Sequence, residues 1–169
     1  QEIENARRAS MLAQQLARIS GGKVRQVAEQ LNLTQMVGDA LAQRAREMLA
    51  RDLDVRQALR PAQIVGDAAF TFSLLQALLD WATLHARHRI DFRLDVEPWP
   101  VQAQLVCRLA HASRDTDSLP PMDTMAWHMV EATSRAMGLE LRRDDTAEET
   151  RITIEFPRTV NETMEGVSA

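Results

Sequence analysis

The stretch SLLQALLDWATLHA, residues 73–86, lies between Gly66-Asp67 and the polar run Arg87-His88-Arg89. It predicts a helix from Asp67 to about Arg87 with apolar side chains on nearly every side, which therefore needs cover on most faces. Ile90, Phe92, Leu94 and Val96 then alternate with Arg89, Asp91, Arg93 and Asp95, the period-two pattern of a strand with one dry and one wet face. After the turn at Pro98-Trp99-Pro100, Ala103, Leu105, Cys107 and Leu109 alternate back and predict a hairpin-like partner. Near the end of the chain, Leu139 and Leu141, then Ile152, Ile154 and Phe156, form two further alternating runs around a polar turn at 144–149, and Pro157 closes the last.

Helical periods account for much of the rest. Ile3, Ala6, Ala9, Leu12, Leu16 and Ile19 share one stripe, and Ser20-Gly21-Gly22 ends that helix. A short strand is expected over 23–30 with Val24 and Val27 inward. Thr34 is then read as the N-cap of a helix running to about Ala50. Residues 53–59 and 62–65 read as strands separated by Pro61. The segment 113–122 is a polar loop holding Pro120-Pro121, and Asp123 can cap a helix with Ala126, Val130, Thr133 and Met137 on one stripe. Gly138 follows where a left-handed C-terminal cap favours a residue without Cβ.

Antiparallel strand pairs late in the chain, together with helices that each bury one face, predict an α/β (α+β) fold. The expected architecture is a two-layer sandwich of a mixed sheet with helices on one face, preceded by an N-terminal helix. The expected division is a helix at 1–20, one domain at 23–159 and a loose tail at 160–169.

Composition narrows the function. With 169 residues, 45% hydrophobic and 26% charged, the chain suits one globular domain. A net charge of −4 with scattered basic residues gives no footprint for nucleic acid, and no apolar run is long enough to cross a bilayer. Cys107 is the single cysteine, so no disulfide can form within the chain, and a buried thiol in a reducing compartment, the cytoplasm, is expected. The start at Gln1 reads as a cut from a longer protein.

Several segments together resemble the sensor histidine kinase family. LARISGGKVRQVAEQLNLTQMVGDAL resembles the junction between its second dimerisation helix and its ATPase domain. IVGDAAFTFSLLQALLDWA resembles the strand, Gly-Asp and long helix called the N box. MAWHMVEATSRAMGLELRR resembles the last helix and following strand, and TRITIEFPRT the closing strand. The similarity covers about residues 10 to 159 and lies in the order of elements.

The chemical motifs of that family are missing. Its N box carries two asparagines, one of which ligates the magnesium that bridges the ATP phosphates, an oxygen-ligand task. Alignment on Gly66-Asp67 and Trp81-Ala82 puts Ala77 and Trp81 at those two places, and the only asparagines of the chain are Asn5, Asn32 and Asn161. The family reads adenine with an aspartate in a glycine-containing turn and cradles phosphates with a second glycine-rich turn. Here no glycine lies between Gly66 and Gly138, and Ala110 or His111 falls at the adenine-reading position. Three parts of one nucleotide site are absent together, so the resemblance implies a degenerate domain with vestigial positions Ala77, Trp81 and His111, no cofactor and no metal.

Other candidates carry less. Trp81 is either an ordinary core residue or a plug of the old cavity, and both readings bury it. His85 and His88 could share a helix face, but no further ligand of suitable spacing joins them. His111 has no nucleophile beside it in sequence, and His128 lies in the last helix, whereas the family's phosphoacceptor lies on an earlier helix, before Gln1. The stripe of the first helix needs a partner, either its own domain or, as the resemblance favours, a second copy meeting it through Ile3, Leu12, Leu16 and Ile19. The expectation is a cytoplasmic signalling protein that catalyses nothing and serves as an interaction scaffold, with a response-regulator receiver domain as partner. Its rival is a divergent histidine kinase, or a phosphotransfer protein whose histidine lies upstream.

Overall fold

A computed structural model describes residues 27–99, 101–110 and 125–158. In chain order the elements are β1 (Glu29–Asn32), α1 (Leu33–Gln43), α2 (Ala45–Ala50), β2 (Asp54–Leu59), β3 (Gln63–Gly66), α3 (Ala68–His85), β4 (Arg89–Glu97), β5 (Gln102–Ala110), α4 (Met125–Ala136), β6 (Glu140–Asp145) and β7 (Glu149–Pro157). Five strands form one mixed sheet in the order β2-β4-β5-β7-β6, and β1 pairs with β3 in a separate antiparallel ribbon. β2 runs parallel to β4, and the other neighbours are antiparallel.

The alternation read from sequence sets the layers. Ile90, Phe92 and Leu94 of β4, Leu105, Cys107 and Leu109 of β5, and Ile152, Ile154 and Phe156 of β7 are all buried on one face of the sheet. Register locks these rows together, with Phe92 opposite Cys107 and Leu105 opposite Ile154. The helices cover this face. The other face carries Arg56, Asp91, Arg93, Arg108 and Arg151 and stays wet, as a two-layer arrangement requires.

The long apolar helix is where the sequence places it. Asp67 is its N-cap, accepting from the Phe70 amide at 3.0 Å. Eleven of the 18 residues of α3 are buried, so cover on several sides is needed, and the sheet, α1 and α4 supply it. At the end of α4, Gly138 has φ +69°, the Leu139 amide donates to the Ser134 carbonyl at 2.9 Å, and the Gly138 amide donates to that of Arg135 at 3.1 Å. These two bonds make the left-handed cap expected there.

Three local expectations need correction. Val27 is exposed and the first strand begins only at Glu29, because this strand pairs with β3 in a small ribbon instead of entering the main sheet. Asn32, not Thr34, caps α1, accepting from the Gln35 amide at 3.1 Å. The Thr34 hydroxyl instead donates to the Arg60 carbonyl at 2.6 Å and accepts from the Ala62 amide at 2.8 Å, pinning the turn before β3. The helix expected to reach Ala50 breaks at Arg44 into α1 and α2. The helix at 3–19, with Ile3, Leu12, Leu16 and Ile19, lies outside the described residues, as do the tail and the cap position Asp123.

Candidate functional site

The N-box helix of the resemblance is α3, and the positions aligned with its asparagines, Ala77 and Trp81, are both buried, at 1% and 0% exposure. They stand four residues apart, hence one turn apart on the same face, and His85 continues that line. The face is dry and aromatic. Trp81 meets Trp127 of α4 with ring centroids 5.2 Å apart and planes at 48°, and His85 with centroids 5.7 Å apart at 49°. Such tilted contacts between aromatic rings bring the positive edge of one ring toward the negative face of another.

β6 contributes a cation to this cluster. The guanidinium of Arg143 lies 4.5 Å from the Trp127 ring centroid and 5.7 Å from that of Trp81, within range for cation–π attraction. Nε of Arg143 donates to both carboxylate oxygens of Asp145, at 3.2 and 3.0 Å, which orients the planar group. Alternation places Arg143 on the helix-facing side of β6, the same side as Leu141. The region between α3, α4 and β6 is therefore filled by two indoles, an imidazole and a guanidinium.

The oxygen donors near Trp81 are engaged elsewhere. Asp80 points to the flank of α3 that faces α1, where Nη1 of Arg44 holds it at 2.5 Å while Nη2 of the same arginine donates to Gln76 Oε1 at 2.6 Å. Ala77 and Trp81 supply no oxygen ligand, so the donor set at these two places does not fit magnesium. No group of three or more histidine, cysteine or acidic side chains suited to a metal ion occurs among the described residues.

His85 is buried inside α3 whereas His88 is exposed beyond its end, so the two do not share a helix face. His128 is exposed on α4. His111 lies outside the described residues. Burial pushes the Cys107 thiol well up, reinforced by the charge of Asp91, so it stays a neutral core group.

Sequence reasoning missed Trp127, Arg143 and Arg44. Trp127 stands beside Ala126 on the buried side of α4, and counting it into the stripe of Ala126, Val130 and Thr133 would have widened that stripe and exposed the signal. Arg143 and Arg44 carried no signal, because a charged residue that turns inward through its planar head looks in sequence like any solvated one.

No protein-family model matches the chain, and no curated protein matches it. Solved structures do. The histidine kinase AdeS of Acinetobacter baumannii superposes with a TM-score of 0.77 at 14% identity, over 93% of this chain and 80% of that one. A mycobacterial sensor histidine kinase, MprB, superposes at 0.62 with 21% identity, over 78% and 98%. The cytoplasmic segment of histidine kinase QseC gives 0.66 at 14% identity, over 89% and 93%. The chain thus has the fold of the histidine-kinase-type ATPase domain, a mixed sheet covered on one face by helices.

Proposed function

We propose that this chain is a signal-transduction protein whose histidine-kinase-type ATPase domain binds no ATP, catalyses nothing and serves as an interaction scaffold, with a response-regulator receiver domain as its partner. One observation carries the reading. Trp81, at the position aligned with a metal-ligating asparagine, is fully buried and meets the Trp127 ring in a tilted contact. A domain that must admit a nucleotide and its metal between these helices gains nothing from an indole pair there. The absence of glycine between Gly66 and Gly138 supports the same reading, since close approach of backbone N–H groups to phosphate is easiest without a Cβ.

The scaffold is further proposed to be a cytoplasmic homodimer joined through the helix at 3–19, with the domain at 23–159 carried on that stem. No helix among the described residues is long and apolar enough to cross a membrane. The stripe of Ile3, Leu12, Leu16 and Ile19 supports the dimer, because an isolated helix of that length is marginal in water.

Calorimetric titration with magnesium-ATP, followed by incubation with γ-labelled ATP, tests the central claim. No binding at millimolar nucleotide and no label on the protein are expected. A Kd of 1 mM corresponds to about −4.1 kcal/mol, and charge-assisted hydrogen bonds contribute about 1.5–3 kcal/mol each, so loss of the metal ligand and the phosphate-cradling amides forfeits that much. The double variant Ala77→Asn, Trp81→Asn is expected not to recover binding, because the glycine-rich turns remain missing. Micromolar binding by the unmodified chain would replace the scaffold with an active kinase.

A further inference from the structure

We propose that the open edge of β2 pairs antiparallel with the same edge of a second copy of this chain, in a register centred on Gln57. β2 is the terminal strand of the five-stranded sheet and is bonded to β4 on one side. The Asp54 amide donates to the His88 carbonyl at 2.9 Å and the Arg60 amide to that of Leu94 at 3.0 Å, so both point into the sheet. Amides alternate in direction along a strand. Those of Val55, Gln57 and Leu59 therefore face outward, and among the described residues no strand pairs with them.

This edge has little to protect it. Natural sheets commonly blunt an edge with Lys, Pro or a bulge. β2 reads DVRQAL, without Lys or Pro, and its register against β4 runs unbroken from Asp54 opposite Arg89 to Leu59 opposite Leu94. Its charges, Asp54 and Arg56, are of opposite sign, and Pro61 lies beyond its end.

The sequence of the edge matches a second copy of itself. Residues opposite one another in an antiparallel pair point to the same face, so a twofold axis must pass through a residue and not between two. With the axis at Gln57, Asp54 faces Arg60 of the second copy at both ends, Val55 faces Leu59, Arg56 faces Ala58, and Gln57 meets itself. Every outward backbone group then has a partner: Val55 exchanges bonds with Leu59 of the second copy, Gln57 with Gln57, and Leu59 with Val55. A centre one residue to either side is worse on both counts. At Arg56, the guanidinium meets its own copy, and Leu59 faces Leu53, whose amide is already bonded to the Met48 carbonyl. At Ala58, Arg56 faces Arg60, and Val55 faces Pro61, which has no amide. Like charges directly opposite destabilise a strand pair.

The side chains concerned are available. Arg60 is 73% exposed and lies 3.5 Å from Asp95, which Arg93 holds more closely at 2.7 Å. Asp54 is bonded to Arg56 through Oδ2, which leaves Oδ1 for a second guanidinium. Val55 and Leu59 pack against the core but stay partly exposed, so pairing them across the axis buries apolar surface that the helices leave open. The far edge of the sheet offers no such match. β6 reads ELRRDD, and an axis at Arg142 or Arg143, in the middle of the strand, sets that arginine against its own copy.

This contact is separate from the dimer proposed through the helix at 3–19, and the two fail separately. The test is sedimentation velocity of the full chain carrying Leu12→Glu and Leu16→Glu, which removes the contact of that helix. A short edge makes a small interface, so association is followed up to about 1 mM protein. A monomer–dimer equilibrium is expected to persist. Adding Gln57→Pro removes an outward amide and leaves the ladder to β4 whole, and is expected to weaken the dimer about tenfold or more. Asp54→Arg, which faces Arg60 with a like charge, is expected to weaken it as well, and Asp54→Arg together with Arg60→Asp to restore it. Circular dichroism checks that each variant is folded. A chain that stays monomeric once the helix contact is removed would overturn the edge pair and leave the helical dimer standing. A dimer indifferent to Gln57→Pro, or a charge exchange that recovers nothing, would overturn the edge pair too.

Discussion

The indole of Trp127 on α4 lies against that of Trp81 on α3, with ring centroids 5.2 Å apart and planes tilted by 48°. Both rings are buried, Trp81 completely. The contact joins α3 and α4 within the hydrophobic core. A core indole is expensive to remove. Trp81→Ala is expected to lower unfolding free energy by about 3–5 kcal/mol, measured by urea titration. A double-mutant cycle with Trp127→Ala is expected to show coupling of about 0.5–1.5 kcal/mol. A loss below about 1 kcal/mol would mean that the indole only occupies a vestigial cavity and contributes little to the core.

Asp67 begins α3 and also reaches outside it. Its carboxylate accepts from the Val27 amide at 2.7 Å and the Phe70 amide at 3.0 Å. The Val27 bond most of all, then that of Phe70, holds this carboxyl below its ordinary value near 3.8, and partial burial, which opposes them, does not cancel the effect. A carboxyl with a depressed folded-state pKa contributes stability that is complete above its unfolded-state pKa and is lost as pH falls through the folded value. Asp67→Asn keeps a side-chain acceptor for the cap but removes the titration. The variant is therefore expected to be less stable than the parent near neutral pH, with the difference shrinking below about pH 4. Asp67→Ala is expected to cost about 1 kcal/mol at neutral pH. Parallel acid titrations of parent and Asp67→Asn check the sign, and a difference that grows on acidification would contradict it.

What could be read from sequence follows from how much each residue's role depends on its neighbours in the chain. The alternation of Ile90 to Val96 against Arg89 to Asp95 is a local property, so β4 and its wet face were legible directly. The caps at Asp67 and Gly138 were legible too, whereas that of α1 was not, because the Thr34 hydroxyl is taken up by Arg60 and Ala62 in the turn before β3 and Asn32 caps instead. The break at Arg44 was not legible. Arg44 at the break is bonded to Gln76 and Asp80, more than thirty residues away, contacts that no local pattern reveals. The aromatic cluster was half legible: the position of Trp81 came from alignment on Gly66-Asp67, but its partners Trp127 and Arg143 come from elements joined only in the folded chain. That Arg108 and Arg151 face one another needed the register of β5 against β7, which no local pattern supplies.

Asp52 sits just past α2 with φ 55°, the left-handed region. Its amide donates to the Leu49 carbonyl at 3.0 Å and the Leu53 amide to that of Met48 at 3.0 Å, the paired bonds of a left-handed helix cap, and buried Leu53 follows. Aspartate tolerates this conformation better than most residues, but glycine carries no Cβ to clash. Asp52→Gly is therefore expected to raise stability by up to about 1 kcal/mol, and Asp52→Val to lower it by a similar amount or more. Thermal unfolding of the two variants decides the matter, and equal melting temperatures would show that the cap is not strained.

Arg44 is the last test of how the helical layer is held. Its side chain and that of Asp80 are 13% and 19% exposed, and the same guanidinium also bonds Gln76, so one planar fork ties the break between α1 and α2 to two successive turns of α3. Removing the arginine leaves a largely shielded carboxylate without its counter-charge, which costs more than removing the whole pair. Arg44→Ala is accordingly expected to destabilise by about 1–3 kcal/mol, Arg44→Ala with Asp80→Ala by less than the sum of the single variants, and Arg44→Lys to recover only part of the loss because an ammonium cannot span both acceptors. The same series bears on the chemistry of the site. Asp80 is the carboxylate nearest in sequence to Trp81, and Arg44→Ala releases it from its partner. Magnesium-ATP titration of Arg44→Ala is expected to remain flat, since Asp80 lies on the flank of α3 that faces α1, away from Trp127. Nucleotide binding that appears in this variant alone would show that Asp80 can stand in for the missing asparagine, and that Arg44 rather than the indole pair keeps the site closed.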